Sequence, residues 1–575
     1  MSSAVLPATV RQPTPQARPA AQVFMFNPVV DLAVIAGGLT FVLFPISLLF
    51  ASQLNIAAFL VLLFFCNYPH YMATLHRVYR DRSQIERYKF FSIYVTGLLV
   101  LTAALGHLMA GRWLTLLYSV YFTWSPFHYT GQNYGISLMY LRRGGTQPSN
   151  AERWLLYVAF IACFLMYVTA INTDLGIAPL FPFHSLGIPR QVGRVAYLSL
   201  LVIGVVSAAG FLWRIVPRTP GRALLPVLLL SGSQFAWFAA ATGMPLFSAE
   251  LGLQWLPIEA LFPTIAFLHC AQYLGVTAYY AKREQTTAAA ARFSVVRYLA
   301  VLIVGGVFLW IGSTRLLSQV FGLDYGISFL LMLSLINIHH FVMDGAIWKL
   351  RDGRLARLLL SAEKPASAPG GAAPVGARPA AAPLKRRGRS ATAVDVAERL
   401  RIPSASAWRT PAWVAAAAVA LALAGSDIYY RFGIWKAGQV SRTGDVRGAV
   451  NLYSSVWGIN DRSAEALDGL AFWSLKTGQV QQAADRWEQS LKLNPTETSV
   501  YAHIGLGEAY LRMGRVSDAM EHLEKAIRYR PNEPSSYILM AMAYDQQGNA
   551  AKAQEMRRRA SEVSPSGPVE KRLFY

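Results

Sequence analysis

Between residues 29 and 348 the polar positions of this chain gather into short intervals, and the apolar stretches between them are too long for a soluble core. Runs near 29–51, 55–76, 90–110, 114–141, 154–172, 195–216, 224–243, 257–280, 298–316 and 325–348 each approach the 20 or so residues that a helix needs to cross hydrocarbon. A shorter Ala-rich run covers 412–430, with Asp427 near its end and Ala415–Ala418 diluting its hydrophobicity. Beyond it the pattern changes to small and large residues alternating over helical distances. The expected fold is therefore all-α: a polytopic transmembrane helical bundle of about 10–11 spans, followed by a helical solenoid.

Charge sorts the intervals into two kinds. Those after the second, fourth, sixth, eighth and tenth runs are basic, carrying Arg77, Arg80, Arg82, Arg87 and Lys89, then Arg142, Arg143 and Arg153, then Arg214, Arg218 and Arg222, then Lys282, Arg283, Arg292 and Arg297, and finally a 349–411 linker. The intervals near 52–54, 111–113, 173–193, 244–256 and 317–324 hold few basic residues. Lys and Arg accumulate on the cytoplasmic side of membrane proteins, so the N-terminus and the 349–411 linker are expected in the cytoplasm of a bacterial inner-membrane protein. If the 412–430 run spans, the C-terminal region is periplasmic.

Composition narrows the classes. Of 575 residues, 54% are hydrophobic and 15% charged, against roughly 25% charged in soluble domains. The net charge of +22 resembles that of nucleic-acid binders. It sits in membrane-flanking loops and in the linker, where 13 Lys/Arg face 4 Asp/Glu, so we expect no nucleic-acid partner. The linker, rich in Pro, Ala and Gly, and the Pro/Ala/Gln-rich residues 1–28, a cytoplasmic tail, are expected to be disordered. Cys66, Cys163 and Cys270 lie inside apolar runs and form neither a disulfide framework nor a metal motif.

Residues 430–567 repeat, before a short tail at 568–575. Gly444, Gly478, Gly514 and Gly548 recur at spacings of 34, 36 and 34, and Ala449, Ala483, Ala519 and Ala553 keep the same intervals. Asp461, Pro495, Pro531 and Pro565 close the units. Ala437, Ala471, Gly507 and Ala541 fall where paired helices cross closely, and Tyr453, Trp487 and Leu523 fill the next gap, a place taken by Arg557 in the last unit. This pattern resembles the tetratricopeptide repeat, with a degenerate first unit. The resemblance implies an α-solenoid whose concave face binds a protein partner.

The chemistry is in the membrane runs. The stretch Ile336-Asn337-Ile338-His339-His340-Phe341-Val342-Met343-Asp344 puts three ionisable groups where each costs several kcal/mol. Of ten histidines, His70, His76, His128, His269, His339 and His340 lie in the second, fourth, eighth and tenth runs, all of which head for the same side. His107 and His184 lie toward the other side, and His503 and His522 belong to the repeats, His522 on an expected solvated face. Helical neighbours three or four positions apart share a face, which pairs His340 with Asp344 and Asn337, His128 with Gln132, His269 with Gln272, and His70 with Asn67 and Thr74. A lone intramembrane histidine is usually hydrogen-bonded and inert, but the set reads as a metal site. Its expected ligands are His70, His128, His269, His340 and Asp344, with His76 and His339 as further candidates. Asn67, Gln132, Gln272 and Asn337 are expected to orient the rings. Such donors suit iron, and also zinc or manganese, better than magnesium or calcium. His70 and His76 lie about 240° apart on a straight helix, and the depths of His70 and His128 differ by about 10 Å. Two metals, or one metal with a proton-handling His76, therefore fit as well as a single centre.

The membrane region loosely resembles the histidine-rich membrane non-haem iron oxygenases, hydroxylases and desaturases, in having several histidines near one side. It departs from their boxes: an HxxHH motif would need histidine at Ile336, and no HxxxH occurs. Membrane carotenoid-cleaving oxygenases, with single histidines on several helices, are a looser resemblance that suits the scatter better. Both imply an iron-dependent enzyme acting on a lipid-soluble small molecule. A non-enzymatic membrane assembly factor, or a transporter whose histidines relay protons or bind haem, is the alternative. A repeat-bearing membrane glycosyltransferase fits the architecture but lacks an acidic residue at Ala51-Ser52-Gln53-Leu54-Asn55.

Overall fold

A computed structural model describes residues 23–49, 61–174, 183–247, 258–288, 294–349, 353–360 and 411–563. The expected N-terminal tail up to residue 22, the first outer loop, most of the 349–411 linker and the 568–575 tail lie outside the described residues. The described chain is helical throughout, with one isolated parallel bridge between Thr173 and Ile188 and no strand among the described residues.

Seven described helices are long and apolar enough to cross a membrane. They are Phe90–Leu108, Asn150–Asn172, Arg190–Arg218, Gly221–Gly243, Val295–Phe321, Tyr325–Ile347 and Pro411–Arg442. Pro28–Ile35 and Thr40–Ser47, bent by 41°, add an eighth if they form one span. Gly37, at φ 77°, makes that bend; a Cβ there would meet Ser233 Oγ at 2.6 Å, so only glycine fits. The long helices Ala110–Arg143 and Ile258–Ala288 fall short of the same apolar measure. Their deficit is the polar side chains that they turn inward, where neighbouring helices replace lipid.

One end of the bundle is tied by two buried ions. Asp31 accepts the backbone N–H groups of Met25 and Phe26 at 2.7 and 2.9 Å and the Tyr140 hydroxyl at 2.8 Å. Arg143 donates to the carbonyls of Val23, Phe24 and Leu359, which joins the N-terminal segment to the short Gly353–Leu360 helix.

At the other end, the eleventh run is longer than expected. Pro411–Arg442 is one helix, so the membrane run and the first helix of the first repeat are continuous. Asp427 does not end it. Fully buried, it accepts the Tyr325 hydroxyl at 2.6 Å and the Arg431 guanidinium at 2.8 Å, and this pairing satisfies a charge that would otherwise break the run. Ala420 packs in one cluster with Trp310, and Ser426 accepts from Arg315 at 2.6 Å. Residue numbers rise together along the two helices, so Pro411–Arg442 runs parallel to Val295–Phe321. The repeats therefore emerge beside the turn at 322–324.

That turn is the docking point. Asp324 Oδ2 caps Tyr325–Ile347 through the N–H of Ile327 at 3.0 Å, while Oδ1 accepts from Ala464 N at 2.8 Å, the first residue of the repeat helix Ala464–Lys476. The backbone N–H groups of Asp324 and Tyr325 reach the carbonyls of Leu493 and Arg462 at 2.8 and 2.7 Å. One carboxylate thus caps a membrane helix and a repeat helix together.

The remaining helices, Val446–Ile459, Ala464–Lys476, Val480–Leu493, Val500–Arg512, Val516–Tyr529, Pro534–Gln546 and Ala550–Glu562, alternate as the 34-residue pattern requires. Gly444, Gly478, Gly514 and Gly548 make the turns at φ between 74° and 83°. A Cβ on Gly507 would meet Leu523 at 2.7 Å, the close crossing that the small–large alternation encodes. His522 is not solvated: its Nδ1 lies 2.8 Å from His503 Nδ1, half-buried between paired helices.

Both the docking carboxylate and the histidine pair have measurable consequences. Asp324→Ala removes two caps, each worth about 1 kcal/mol, and should loosen docking by about 2 kcal/mol; faster hydrogen exchange in Ala464–Lys476, with membrane helices unchanged, is the readout. Burial, then His522, Lys525 and Arg528, hold His503 down to about 4, against about 6.5 when unfolded. The unfolded chain therefore binds the extra proton between those values, and stability falls as pH drops through that window. Allowing for partial exposure, the loss from pH 7 to 4 should reach about 2 kcal/mol, read as exchange in Val500–Arg512 and flattened by His503→Phe.

Candidate metal centre

Four helices carry one histidine each to a common point. His70 comes from Tyr68–Tyr79, His128 from Ala110–Arg143, His269 from Ile258–Ala288 and His340 from Tyr325–Ile347. A π-turn at Leu63–Asn67 precedes the first of these and lets Pro69, which has no N–H to donate, sit in the new helix's first turn. Cross-contacts fix the directions. His70 meets His340, Thr74 meets Asp344 and Arg77 meets Ile347, while Gln132 meets Gln272 and the rings of His128 and His269 lie 5.1 Å apart. All four helices are parallel.

One nitrogen from each of the four rings lies within 4.8 Å of the others. His70 Nε2 is 2.6 Å from His340 Nε2, which is 3.2 Å from His128 Nε2. His70, His269 and His340 are at most 2% exposed. The Tyr129 ring stacks on His269 at 3.8 Å, yet neither nitrogen of His269 has a hydrogen-bond partner, nor has His70 Nδ1. A neutral imidazole always carries one N–H, and leaving it unpaired in a dry interior costs about 1–3 kcal/mol.

Asp344 stands at the rim. Its Oδ1 accepts the hydroxyls of Thr74 and Tyr273 at 2.9 and 2.8 Å, and its Oδ2 faces His340 Nε2 at 3.5 Å and His128 Nε2 at 3.9 Å. Thr74 also lies 2.8 Å from His340 Nδ1. Its one proton goes to the carboxylate, so its oxygen accepts from Nδ1–H and leaves the His340 Nε2 lone pair turned into the cluster. Trp348 Nε1 donates to the Tyr273 hydroxyl at 3.0 Å, and Arg77 stacks on Trp348 at 3.7 Å.

The amides expected to orient the rings do other work. Asn337 accepts the Tyr71 hydroxyl and donates to Leu333 O, and Asn67 accepts from Cys270 Sγ at 3.6 Å. Gln132 reaches the His269 carbonyl and Gln272. None of these contacts reaches an imidazole nitrogen, because an amide three or four positions away shares the stripe but its reach ends on backbone or on another amide. Thr74 and Tyr273 take that role instead. Each lies one turn after a histidine, at i+4 from His70 and from His269, and works across to the His340 helix; a reading of single helices pairs them with the wrong ring. His76 faces away, edge-on to Tyr298 at 5.7 Å. His339 meets Thr96 at 2.9 Å, outside the cluster. The expected 10 Å spread in depth closes because the helices are staggered.

A cavity of about 300 Å³ adjoins the cluster on one side. His128, Gln132, Tyr273 and Asp344 line its near end, with Trp124, Phe127 and Phe341 beside them, and Ile136, Met139, Val276, Trp348 and Leu359 line the rest.

Comparison with known proteins reaches only the C-terminal region. The tetratricopeptide-repeat family model matches residues 474–535 and 510–566, so this part of the chain carries tetratricopeptide repeats. Among solved structures, a crystal structure of MamA is 23% identical over 23% of this chain and 77% of its own, at a TM-score of 0.22. TTC0263, a thermophilic repeat protein of Thermus thermophilus, is 21% identical over 24% of this chain and 75% of its own, at 0.23. PilF of Pseudomonas aeruginosa is 16% identical over 25% and 80%, at 0.20. No curated protein matches the chain, and the resemblance of the membrane region to iron oxygenases finds no counterpart in these matches.

The unpaired ring makes a testable difference. In chelator-treated protein, His269→Leu should leave stability unchanged or raise it by about 1 kcal/mol, since it removes a buried group with no partner. His340→Leu removes the contacts of that ring with Thr74, His70 and His128 and should cost about 1–3 kcal/mol. Thermal unfolding in detergent compares the two.

Proposed function

We propose that this chain is an integral membrane metalloenzyme whose centre is held by His70, His128, His269 and His340. The reading further assigns it iron, oxidation of a lipid-soluble substrate, and repeats that dock a protein partner. The observation that carries it is the convergence of four ring nitrogens, three of them on fully buried histidines, with His70 and His128 both meeting His340 Nε2 while His269 has no hydrogen-bond partner among the described residues. A cation at their centre would be bound by all four nitrogens at about 2.1 Å. The donors suit iron, zinc or manganese. Iron is favoured because an apolar cavity offers hydrocarbon, and hydrocarbon presents no group for a Lewis acid to polarise.

Bound iron would supply the dioxygen and one-electron chemistry that no side chain provides. The protein's own part is positioning. Thr74 sets the His340 tautomer and, with Tyr273, holds Asp344 so that Oδ2 can keep or take a proton where cavity and cluster meet. Trp124, Phe127 and Phe341 exclude water from that edge. The rule that basic loops stay in the cytoplasm places the inner end of the site helices there. The repeats, which dock at the opposite end beside Asp324, would then be periplasmic.

The test is metal content of the detergent-purified protein after growth with added iron. We expect about one iron per chain in the wild type, and at least a tenfold loss in His269→Leu and in the His340→Ala/Asp344→Ala double variant with helicity retained. Two equivalents would speak for a paired centre. Protein free of transition metal and haem after supplementation would overturn the proposal.

A further inference from the structure

The cavity beside the cluster has a shape that narrows the substrate. Along Ala110–Arg143 its wall is Trp124, Phe127, His128, Gly131, Gln132, Gly135, Ile136 and Met139, which is one uninterrupted helix face. Fifteen residues separate its ends, about 22 Å at 1.5 Å per residue. A volume of about 300 Å³ drawn out over that length is a slot, not a chamber. The opposite wall is the face of Tyr325–Ile347 that carries Phe341, Asp344 and Gly345, with Tyr273 and Val276 as the floor.

Its polarity is graded. His128, Gln132, Tyr273 and Asp344 are together at the cluster end, and Gln132 Oε1 there has no hydrogen-bond partner. At the far end are Ile136, Met139, Val276 and Leu359, closed below by the Gly353–Leu360 helix, which the Arg143 side chain holds through the Leu359 carbonyl. The side is open. Gly131 and Gly345 line the cavity and are exposed, and a Cβ added at Gly131, Gly135 or Gly345 would meet nothing within 4 Å among the described residues.

We propose that the slot binds one extended alkyl chain, which enters sideways from the bilayer between Gly131 and Gly345 and lies along Gly135 to the stop at Met139 and Leu359. Its carbon nearest His128 and Asp344 is the one presented to the centre. The proposal deepens the metalloenzyme reading and rests on it only for what happens at that carbon; occupancy of the slot does not need the metal. Gly131 and Gly135 are the slot's specificity-determining positions. The chain comes either from a free fatty acid or from the acyl tail of a phospholipid.

Photolabelling of the full-length protein in nanodiscs separates these sources. One arm uses a fatty acid with a mid-chain diazirine, the other a phosphatidylcholine with the same group in one acyl chain, and cross-linked peptides are mapped by mass spectrometry. We expect one arm to label 131–139 and 341–348 above the lipid-facing helix Arg190–Ile215, and that arm names the source. Gly131→Leu and Gly135→Leu, which fill open space and leave packing intact, should each lower slot labelling at least tenfold. Gly97→Leu, equally unobstructed but on another helix, should not. Labelling spread evenly over exposed helices, or unmoved by both leucines, overturns the proposal. Repeating the experiment after chelation keeps the two readings apart: a labelled slot in protein that never holds metal would sink the enzyme and keep the slot, and bound iron beside an unlabelled slot would do the reverse.

Discussion

An imidazole buried among membrane helices must give its N–H to something, and the arrangement of this bundle depends on that demand. His340 is provided for by Thr74, and through Thr74 by Asp344, Tyr273 and Trp348, so one ring position is specified by residues on three helices. His269 has no hydrogen-bond partner among the described residues. A bundle that meets the cost of one histidine so fully and of its neighbour not at all is incomplete by itself. On the proposed reading, the partner of His269 would sit in the space on which all four rings converge. The same demand explains why two of the longest helices fall short of the apolar measure met by their neighbours: their polar residues are spent on each other and not on lipid.

Asp324 and Asp427 apply that logic to the other end of the molecule. Each is a carboxylate at or near full burial, and each holds the repeats to the membrane bundle, one by capping two helices and the other by joining Tyr325 to Arg431. The helix so capped is the one that carries His340 and Asp344. An object bound in the solenoid therefore pulls on the N-terminus of a site helix through a hydrogen-bonded contact and not through a flexible tether. The first repeat, whose leading helix is the membrane helix itself, is committed to this junction, and the later repeats are left to present a binding surface.

The membrane runs, the 34-residue repeat and the six-histidine bias could be read from one sequence because each is a pattern along the chain: hydropathy, period, spacing. So could the pairing of His340 with Asp344, since four residues make one turn. What could not be read were relations between helices. Thr74 is four residues from His70 yet serves His340, Tyr273 is four from His269 yet serves Asp344, and the stagger that levels His70 with His128 has no signature in either helix alone. The continuity of the membrane helix with the first repeat was hidden for a related reason. An aspartate in an apolar run signals its end unless a partner elsewhere neutralises it, and Tyr325 and Arg431 are that partner.

The parallel course of the four histidine helices joins the fold to the chemistry. Parallel neighbours in a membrane cannot follow one another in sequence, so each site helix is separated from the next by at least one that returns, and the site draws on residues 270 positions apart. The returning helices need not be polar, and they form the apolar jacket. Two of the four parallel helices, Tyr68–Tyr79 and Ala110–Arg143, carry arginine in their last turn, where a cation offsets the helix dipole. The basic residues that follow the membrane runs thus also steady the ends of two of the helices that bring the histidines together. The cluster histidines come from the second, fourth, eighth and tenth runs, while the sixth, which heads the same way, brings none, so shared direction permits the site and the packing of these four helices selects it.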